Sequence, residues 1–196
     1  MSIRLGVMGG TFDPIHHAHL ANASEAAHCL GLDAVLFIPA GRPWQKRGVS
    51  AAEDRYAMTR LAVTGNPRFS ASRLEIDRPG PTYTVETLRE LRARHGARAK
   101  LYFIAGADVL ASIGTWREAA RLTALAHFVF CARAGYPLAT TASLGERVSL
   151  LDVPVLGISS TLIRRRVRQG MPIRYLVPDR VADYVARTGL YRRAQR

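Results

Sequence analysis

The sequence is poor in cysteine, and this limits the kinds of site that it can build. Its two cysteines, Cys29 and Cys131, stand far apart and form no Cys-x-x-Cys pair. A structural zinc site needs about four Cys or His ligands at characteristic spacings, and a disulfide framework needs several cysteines. The sequence therefore predicts neither, and two unpaired cysteines favour the reducing cytoplasm.

Long apolar runs are also missing. No stretch approaches the roughly 20 apolar residues of a membrane-spanning helix, and the first residues enter a strand-like run directly, which leaves no room for a signal peptide. The 196 residues suffice for one domain with a substantial core and are too few for two comfortable ones. We therefore expect a single domain over residues 1–196, with no membrane partner.

Lysine is scarce as well, although the chain carries a net charge of +13. All but two of its 28 basic residues are arginines, the exceptions being Lys46 and Lys100. The densest basic cluster, residues 164–168, has no aromatic residues among it. Proteins that bind single-stranded nucleic acids stack the bases on aromatic side chains. Small anionic substrates account for the same charge, so nucleic acid is not an expected partner.

Strand-like and helix-like segments alternate along the chain. Apolar runs and two weaker patterns indicate six strands, at residues 5–8, 34–38, 69–76, 101–104, 128–130 and 148–155. Ser-x-x-Glu at 50–53 and Thr-x-x-Glu at 115–118 are each typical of a helix start. The alternation predicts an α/β fold, a Rossmann-like doubly wound parallel sheet over residues 1–157, followed by a C-terminal helical segment over 158–196.

Three polar segments follow strands of this predicted sheet. They are residues 9–19 after the first strand, 39–46 after the second and 106–108 after the 101–104 strand. In doubly wound sheets ligands bind beyond the carboxyl ends of the strands, near the point where the strand order reverses. The placement of these segments therefore predicts a ligand pocket at that edge.

The most informative stretch is residues 9–19, Gly-Gly-Thr-Phe-Asp-Pro-Ile-His-His-Ala-His, which leads from a strand into a helix. His16 and His19 stand three apart, a spacing that puts both on one helix face, and the start of a helix attracts anions. A plain turn with surface histidines, or half of a zinc site, would show the same residues, but further zinc ligands are missing. No Gly-Lys-Ser/Thr follows, which excludes a Walker-type loop. The stretch favours a polyphosphate pocket with two imidazole donors.

A second element suited to phosphate is residues 157–164, Gly-Ile-Ser-Ser-Thr-Leu-Ile-Arg. Ser159 or Ser160 can cap a helix, and Arg164 follows within about one turn. Taken alone, this element is best explained as a capped helix with a basic, solvated face. Its coexistence with the histidine pair favours an anion site instead.

Several motifs together resemble one enzyme family. They are Gly-Gly-Thr-Phe-Asp-Pro-Ile-His at 9–16, Pro-Thr-Tyr-Thr at 81–84 with Thr87-Leu88, Gly-Ala-Asp at 106–108 with Trp116, Ile-Ser-Ser-Thr at 158–161 with Arg164, Tyr-Leu-Val-Pro at 175–178 and Gly-Leu-Tyr at 189–191. Almost from end to end the chain resembles the bacterial nicotinate-nucleotide adenylyltransferases, of the nucleotidyltransferase superfamily with a His-x-x-His motif. The His-x-x-His and Ile-Ser-x-Thr elements mark only the superfamily, whereas the remaining motifs point to the nicotinate branch.

The resemblance implies transfer of AMP from ATP to nicotinate mononucleotide, giving deamido-NAD and pyrophosphate in NAD biosynthesis. In that family the acceptor phosphate attacks directly, without a covalent intermediate, so positioning and charge stabilisation suffice. His16, His19 and Arg164 would be catalytic. Mg²⁺ would be carried mainly by ATP, so no protein metal site is expected. The residues implied to bind ATP are Gly9, Gly10, Thr11, Phe12, Gly106, Asp108, Ile158, Ser159 and Ser160.

For nicotinate mononucleotide the resemblance implies Lys46, Thr84 and Trp116, with Arg133 a weaker candidate. Lys46 would meet a phosphate, Trp116 would stack on the nicotinate ring, and Thr84 would donate to its carboxylate. Burial of Trp116 in the core is the competing explanation. Another acceptor, nicotinamide mononucleotide or phosphopantetheine, and a basic nucleic-acid-binding module are the alternatives. A homo-oligomer is left open.

One residue departs from the family pattern. Ala18 stands between the two histidines, where the family usually has a glycine that lets the nucleotide approach the helix backbone closely. We expect the added methyl group to shift the loop rather than to abolish activity.

Overall fold

The fold is built on one six-stranded sheet in which every strand pairs parallel to its neighbours. The computed structural model describes residues 2–44, 46–132, 147–154 and 156–192. The strand order is β3-β2-β1-β4-β5-β6, so the direction in which the sheet grows reverses between β1 and β4. This order confirms the predicted Rossmann-like doubly wound fold. The strands are β1 (Arg4–Gly10), β2 (Ala34–Pro39), β3 (Phe69–Ala71), β4 (Lys100–Gly106), β5 (His127–Ala132) and β6 (Val148–Asp152).

Helices cover both faces of the sheet. Consecutive strand residues point to opposite faces, and accordingly Val7 and Met8 of β1 belong to two different buried clusters. The Met8 cluster contains apolar residues of α1, α2, α5 and α6, and the Val7 cluster contains those of α3 and α4. The helices are α1 (His17–Cys29), α2 (Ala52–Val63), α3 (Thr84–His95), α4 (Ala119–Leu125), α5 (Ser160–Arg168) and α6 (Asp179–Thr188), and two short 3₁₀ helices, Ala107–Ala111 and Ile113–Thr115, follow β4.

Two strands are shorter than the sequence pattern predicts. The pattern at 69–76 forms a strand only to Ala71, because the chain then turns, with the N–H groups of Ile76 and Asp77 donating to the Arg73 carbonyl instead of to a neighbouring strand. β6 ends at Asp152, shortly before Pro154, which has no N–H to donate to a neighbouring strand.

Neither predicted capping box forms. Helix α2 begins one residue later than expected, with Ala51 at its N-cap and no side-chain cap. Thr115 ends a 3₁₀ helix, where its hydroxyl donates to the Ser112 carbonyl, and α4 begins only after Glu118, which adopts a left-handed conformation with φ of 53°. In both cases tertiary contacts override the local pattern.

The C-terminal helices complete the cluster around Met8. Ile163 of α5 and Val181 and Val185 of α6 are fully or almost fully buried there. Gly189 ends α6 in the left-handed conformation that glycine adopts without strain. In the part of the chain that the structure describes, no helix combines the length and apolar character needed to cross a membrane.

Candidate active site

A cleft of about 920 Å³ opens where the strand order reverses, at the carboxyl ends of β1 and β4. Its walls come from the loop after β1, the end of β4, the segment 46–49 and the start of α5. Lining residues include all those predicted to be catalytic or to bind ATP: His16, His19, Arg164, Gly9, Gly10, Thr11, Phe12, Gly106, Asp108, Ile158, Ser159 and Ser160. The structure thus brings the two phosphate-suited elements together, and their individual roles stay predictions.

Of the two glycines that end β1, only Gly10 is required by close packing, whereas a side chain on Gly9 would meet ordinary van der Waals contacts. A Cβ atom on Gly10 would lie 2.8 Å from the Phe12 ring, and one on Gly9 would lie 3.4 Å from the ring of Phe103. Phe12 itself adopts φ of 50° and turns its side chain into the core, where it is buried. The loop therefore presents its backbone, rather than the aromatic ring, to the cleft.

The two histidines of the motif stack on each other, with ring centroids 3.7 Å apart and planes inclined by 24°. The backbone N–H of His16 donates to Nδ1 of His19 at 3.2 Å. A neutral ring that accepts at Nδ1 carries its proton on Nε2. The Nε2–H of His19 is therefore a hydrogen-bond donor.

Both imidazoles are neutral at physiological pH. Burial, and secondly the charge of His17, lowers the pKa of His16 to about 4. Burial, followed by the charges of His16 and Lys46, lowers the pKa of His19 well below its ordinary value of 6.5. The buried Nδ1 of His16 has no hydrogen-bond partner among the described residues. The pair is thus suited to orient and donate to an anion without carrying a charge itself.

The start of α1 offers fewer free amides than the sequence predicts. The N–H of His17 donates to the Leu176 carbonyl at 3.1 Å, and that of His19 donates to the His16 carbonyl at 3.0 Å. With the His16 N–H bound to the His19 ring, the Ala18 amide is the one in this turn that has no partner among the described residues. Ala18 also lines the cleft, so the residue that departs from the family pattern carries the amide most available to a ligand.

Helix α5 is attached directly to the loop after β1. The Ser160 hydroxyl donates to the Pro14 carbonyl at 2.8 Å, and Nη1 of Arg164 donates to the Asp13 carbonyl at 2.7 Å. Ser159 is the N-cap of α5, where its hydroxyl accepts from the Leu162 N–H. The two motifs, about 150 residues apart, therefore form one continuous wall of the cleft.

Sequence reasoning missed Arg55, the residue that joins the loop after β1 to two points of the loop after β2. Its guanidinium group is buried and donates to the carbonyls of Ser50 at 3.0 Å, Thr11 at 2.9 Å and Gly41 at 3.1 Å. A signal was present, because Arg55, Met58 and Thr59 lie three to four positions apart on the buried face of α2. A cation on such a face is rare unless it is paired.

The residues predicted to bind the acceptor fall in two places. Lys46 lines the large cleft, whereas Thr84 and Trp116 do not. Thr84 and Trp116 lie in the same region, because the residues next to them in the chain are in contact. The guanidinium group of Arg117 lies 4.7 Å from the centroid of the Tyr83 ring.

Trp116 packs edge-on against Phe103 with ring centroids 5.9 Å apart, and its buried Nε1 has no partner among the described residues. The ring is only partly buried, so packing and ligand contact are both compatible with its position. Arg133 lies outside the described residues.

Two carboxylates, those of Asp13 and Asp108, are among the described residues that line the cleft. Asp108 lines the cleft with an exposed carboxylate, but both oxygens of the Asp13 carboxylate accept hydrogen bonds from other parts of the chain. Within the described ranges, no cluster of three or more Cys, His, Asp or Glu side chains could hold a metal ion. Mg²⁺ in nucleotide sites keeps waters and substrate phosphates as most of its ligands.

The amino-acid sequence is similar to a known protein family and to several named proteins. A profile of the cytidylyltransferase-like family matches residues 7–166. The protein of Acidothermus cellulolyticus named "Probable nicotinate-nucleotide adenylyltransferase" is 55% identical over 197 residues, covering 97% of this chain and 95% of its own. The protein of that name from Streptomyces coelicolor is 56% identical over 187 residues, covering 94% of this chain and 99% of its own.

Solved structures show the same fold at lower sequence identity. Plasmodium falciparum nicotinic acid mononucleotide adenylyltransferase complexed with NaAD superposes with a TM-score of 0.83, at 19% identity, over 96% of this chain and 97% of that one. The same enzyme complexed with APC gives a TM-score of 0.80 at 19% identity.

Proposed function

The chain belongs to the cytidylyltransferase-like family and, within it, to the nicotinate-nucleotide adenylyltransferases, and we propose on this premise that its cleft is the site of AMP transfer. The protein is a nucleotidyltransferase that transfers AMP from ATP to nicotinate mononucleotide, giving deamido-NAD and pyrophosphate in NAD biosynthesis. A cytoplasmic location, suggested by the two free cysteines, forms part of the proposal.

One observation carries the assignment of the cleft. The hydrogen bonds from Ser160 and Arg164 to the carbonyls of Pro14 and Asp13 fix the start of α5 beside the histidine pair. Neutral imidazole donors, a guanidinium group and a capped helix start then face the same space. A polyphosphate chain is the ligand that such a combination recognises best.

The reaction needs positioning and charge stabilisation rather than a protein nucleophile. In the proposed step, a phosphate oxygen of nicotinate mononucleotide attacks the α-phosphorus of ATP in line, and the bond to the β-phosphate oxygen breaks. His16 and His19 would donate hydrogen bonds to the transferring phosphoryl group while charge redistributes over its oxygens. Because their pKa values are low, these groups stay neutral and need no proton transfer during the step.

The leaving pyrophosphate would be held at the start of α5. Arg164 supplies a planar, permanently charged group suited to phosphate oxygens, and Ser159 and Ser160 mark a helix start that favours anions. Arg164 is about one quarter exposed on its side chain, so it can reach a ligand while keeping its bond to Asp13. Gly9, Gly10 and Thr11 would let the nucleotide approach the backbone.

For the acceptor we propose that Lys46 meets a phosphate group in the cleft, and that Thr84 and Trp116 contact the nicotinate carboxylate and ring. The Tyr83–Arg117 contact places these last two in one area and adds a cation beside it. A carboxylate on the acceptor ring would be attracted to that cation, and a carboxamide would not be. Mg²⁺ carried by ATP would neutralise part of the phosphate charge when bound, with Asp108 the protein group in reach.

The test is pyrophosphate release with ATP and Mg²⁺, using nicotinate mononucleotide, nicotinamide mononucleotide or no acceptor. We expect release that depends on the acceptor and is at least about tenfold faster with the nicotinate form. Equal rates with both acceptors would contradict the proposed carboxylate recognition, and no release with either would contradict the assignment of the cleft.

A matched pair of arginine variants tests whether Arg164 holds the ATP phosphates. Arg164→Lys keeps the charge but loses the planar fork, so we expect the turnover number to fall by about 10²-fold. Arg166 is on the same helix but does not line the cleft, and its side chain bonds the Pro172 carbonyl. Arg166→Lys should therefore leave turnover unchanged, and equal losses in both variants would argue against the role of Arg164.

A further inference from the structure

The Asp13 carboxylate is buried beneath the cleft and is held at both oxygens. Its Oδ1 accepts a hydrogen bond from the Tyr191 hydroxyl at 2.7 Å, and its Oδ2 accepts one from the backbone N–H of Ser50 at 3.2 Å. The main-chain carbonyl of the same residue accepts from Arg164 at 2.7 Å. The side chain of Asp13 thus fixes the position of the carbonyl group that orients Arg164.

Tyr191 reaches this carboxylate from the far end of the chain, 178 residues away. Burial, and secondly the hydrogen bond to Asp13, raises the pKa of Tyr191 above its ordinary value of 10, so the phenol stays a donor. Its backbone adopts φ of 67°, which bulky residues rarely do, and its ring packs against the buried cluster around Met8. Tyr191 is therefore fixed by its ring and its hydroxyl, with the hydroxyl under the loop after β1.

A second pair makes the same kind of bond without touching the cleft. The Tyr184 hydroxyl of α6 donates to Oδ1 of Asp54 on α2 at 2.8 Å. Neither Tyr184 nor Asp54 lines the cleft. Each tyrosine therefore joins the C-terminal part of the chain to an earlier element by a hydrogen bond from its hydroxyl to a carboxylate. The bond of Tyr191 involves the loop after β1, and the bond of Tyr184 does not.

We infer that Tyr191 is a positioning residue for AMP transfer, which acts by holding Asp13 so that its carbonyl aims Arg164 at the ATP phosphates. The inference rests on the function proposed above. Positioning errors of about 1 Å at a reacting centre can cost about 10²-fold in rate, and loss of one hydrogen bond beneath the loop should cost less. We expect Tyr191→Phe to lower the turnover number by about tenfold.

The experiment compares Tyr191→Phe with Tyr184→Phe. Each variant keeps its ring and loses one phenol–carboxylate bond, and Tyr191→Phe should lower the melting temperature more than Tyr184→Phe does, because Asp13 is more deeply buried than Asp54. Turnover is measured well below that temperature, where both variants are folded. The tenfold loss in the turnover number is expected for Tyr191→Phe alone, with little change in the KM for nicotinate mononucleotide, because Thr84 and Trp116, the proposed contacts of its nicotinate group, lie outside the cleft.

A double-mutant cycle then asks whether Tyr191 works through Arg164. In an Arg164→Ala background, Tyr191→Phe should lower the residual turnover by less than about twofold, because the group that it positions is gone. A full tenfold loss in that background, or equal turnover of Tyr191→Phe and Tyr184→Phe in the parent, would overturn the inference while the proposed function stands. A parent protein that releases no pyrophosphate would overturn both together.

Discussion

The hydroxyl group of Thr87 donates a hydrogen bond of 2.6 Å to the Glu75 carboxyl group, which is buried between the β3 loop and α3. Burial raises the pKa of Glu75 to about 7, although this bond and the charges of Arg78 and Arg55 act in the opposite direction. The backbone of Glu75 is also in tight contact with the loop after β2, since a Cβ on Gly41 would lie 2.0 Å from the Glu75 carbonyl oxygen. A titrating carboxyl group thus lies directly under the loop that leads to Lys46.

Glu75 should make the protein less stable as the pH rises through 7. A carboxyl group whose pKa is raised from 4.5 to about 7 on folding stabilises the fold below pH 4.5 and loses that contribution as the pH rises through 7. The loss between pH 5 and 8 should be up to about 3 kcal/mol. Glu75→Gln mimics the neutral acid and should remove this dependence in urea unfolding. The same pH dependence in the variant as in the parent would contradict the raised pKa, and Glu25→Gln serves as the control.

His16 should have the opposite effect in acid. Its pKa is lowered from 6.5 to about 4 in the folded protein, so the unfolded chain binds the proton more tightly, and stability falls as the pH drops from 6.5 to 4. As the pH falls from 6.5 to 4.5, the stability lost through His16 is offset by the stability gained through Glu75. The effect of His16 can therefore be measured only after Glu75 has been replaced. We expect Glu75→Gln to lose up to about 3 kcal/mol over this range.

The double variant Glu75→Gln/His16→Gln separates His16 from other acid-sensitive groups. It should lose markedly less stability between pH 6.5 and 4.5 than Glu75→Gln alone. His28, at the exposed end of α1, provides the control, and Glu75→Gln/His28→Gln should behave like Glu75→Gln. If the His16 and His28 variants were indistinguishable, the buried neutral state of His16 would be disproved.

Replacing the buried Arg55 should lower the free energy of unfolding far more than replacing Arg73, which forms two exposed ion pairs. Arg55→Met leaves the carbonyls of Thr11, Gly41 and Ser50 without their donor in a buried place, and we expect a loss of about 3–4 kcal/mol. Arg73→Met breaks exposed contacts with Glu53 and Asp77 and should change the unfolding midpoint much less. Chemical denaturation of both variants checks the order, and a reversed order would contradict the bracing role of Arg55.

His19→Ala should lower the turnover number by about 10²- to 10³-fold without unfolding the protein, because it removes one donor to the transferring group. His17 is the natural control, since it is adjacent but does not line the cleft. His17→Ala should retain turnover close to that of the parent protein. Rates are compared with circular dichroism of each variant, and turnover of His19→Ala like that of the parent would exclude a catalytic role.

Ala18→Gly should hold or raise activity. The change removes the methyl group beside the amide that has no partner in the described structure, so ATP can approach the backbone at least as closely. Glycine weakens the helix by about 1 kcal/mol. Ala21→Gly on the same helix, away from the cleft, reproduces that cost alone. A large drop in turnover for Ala18→Gly but not for Ala21→Gly would mean that the pocket is built around the methyl group.

The strand predictions were right or wrong for physical reasons. The apolar run 101–104 lies inside strand β4. Strands of a parallel sheet are buried on both faces, so a short continuous apolar run is typical of them. The prediction of a strand over 69–76 was wrong beyond Ala71, because the backbone closes a turn on the Arg73 carbonyl there. The two Ser/Thr-x-x-Glu patterns failed because the chain enters those helices under tertiary constraints that a local pattern does not contain.

By itself, the sequence determined the fold class, the family and the set of residues predicted to be catalytic or to bind ATP, all of which line the cleft. Strand periodicity and motif order act over short stretches, and parallel strands necessarily bring their carboxyl ends to one edge. Only the tertiary structure decided that Arg164 bonds the Asp13 carbonyl, that Tyr191 holds the Asp13 carboxylate, and that Arg55 joins the loop after β1 to the loop after β2. The first two of these contacts join residues more than 150 positions apart, and the third joins the loops that follow two neighbouring strands. Which donor meets which buried acceptor depends on how the helices pack on the sheet, and local residue patterns do not specify that packing.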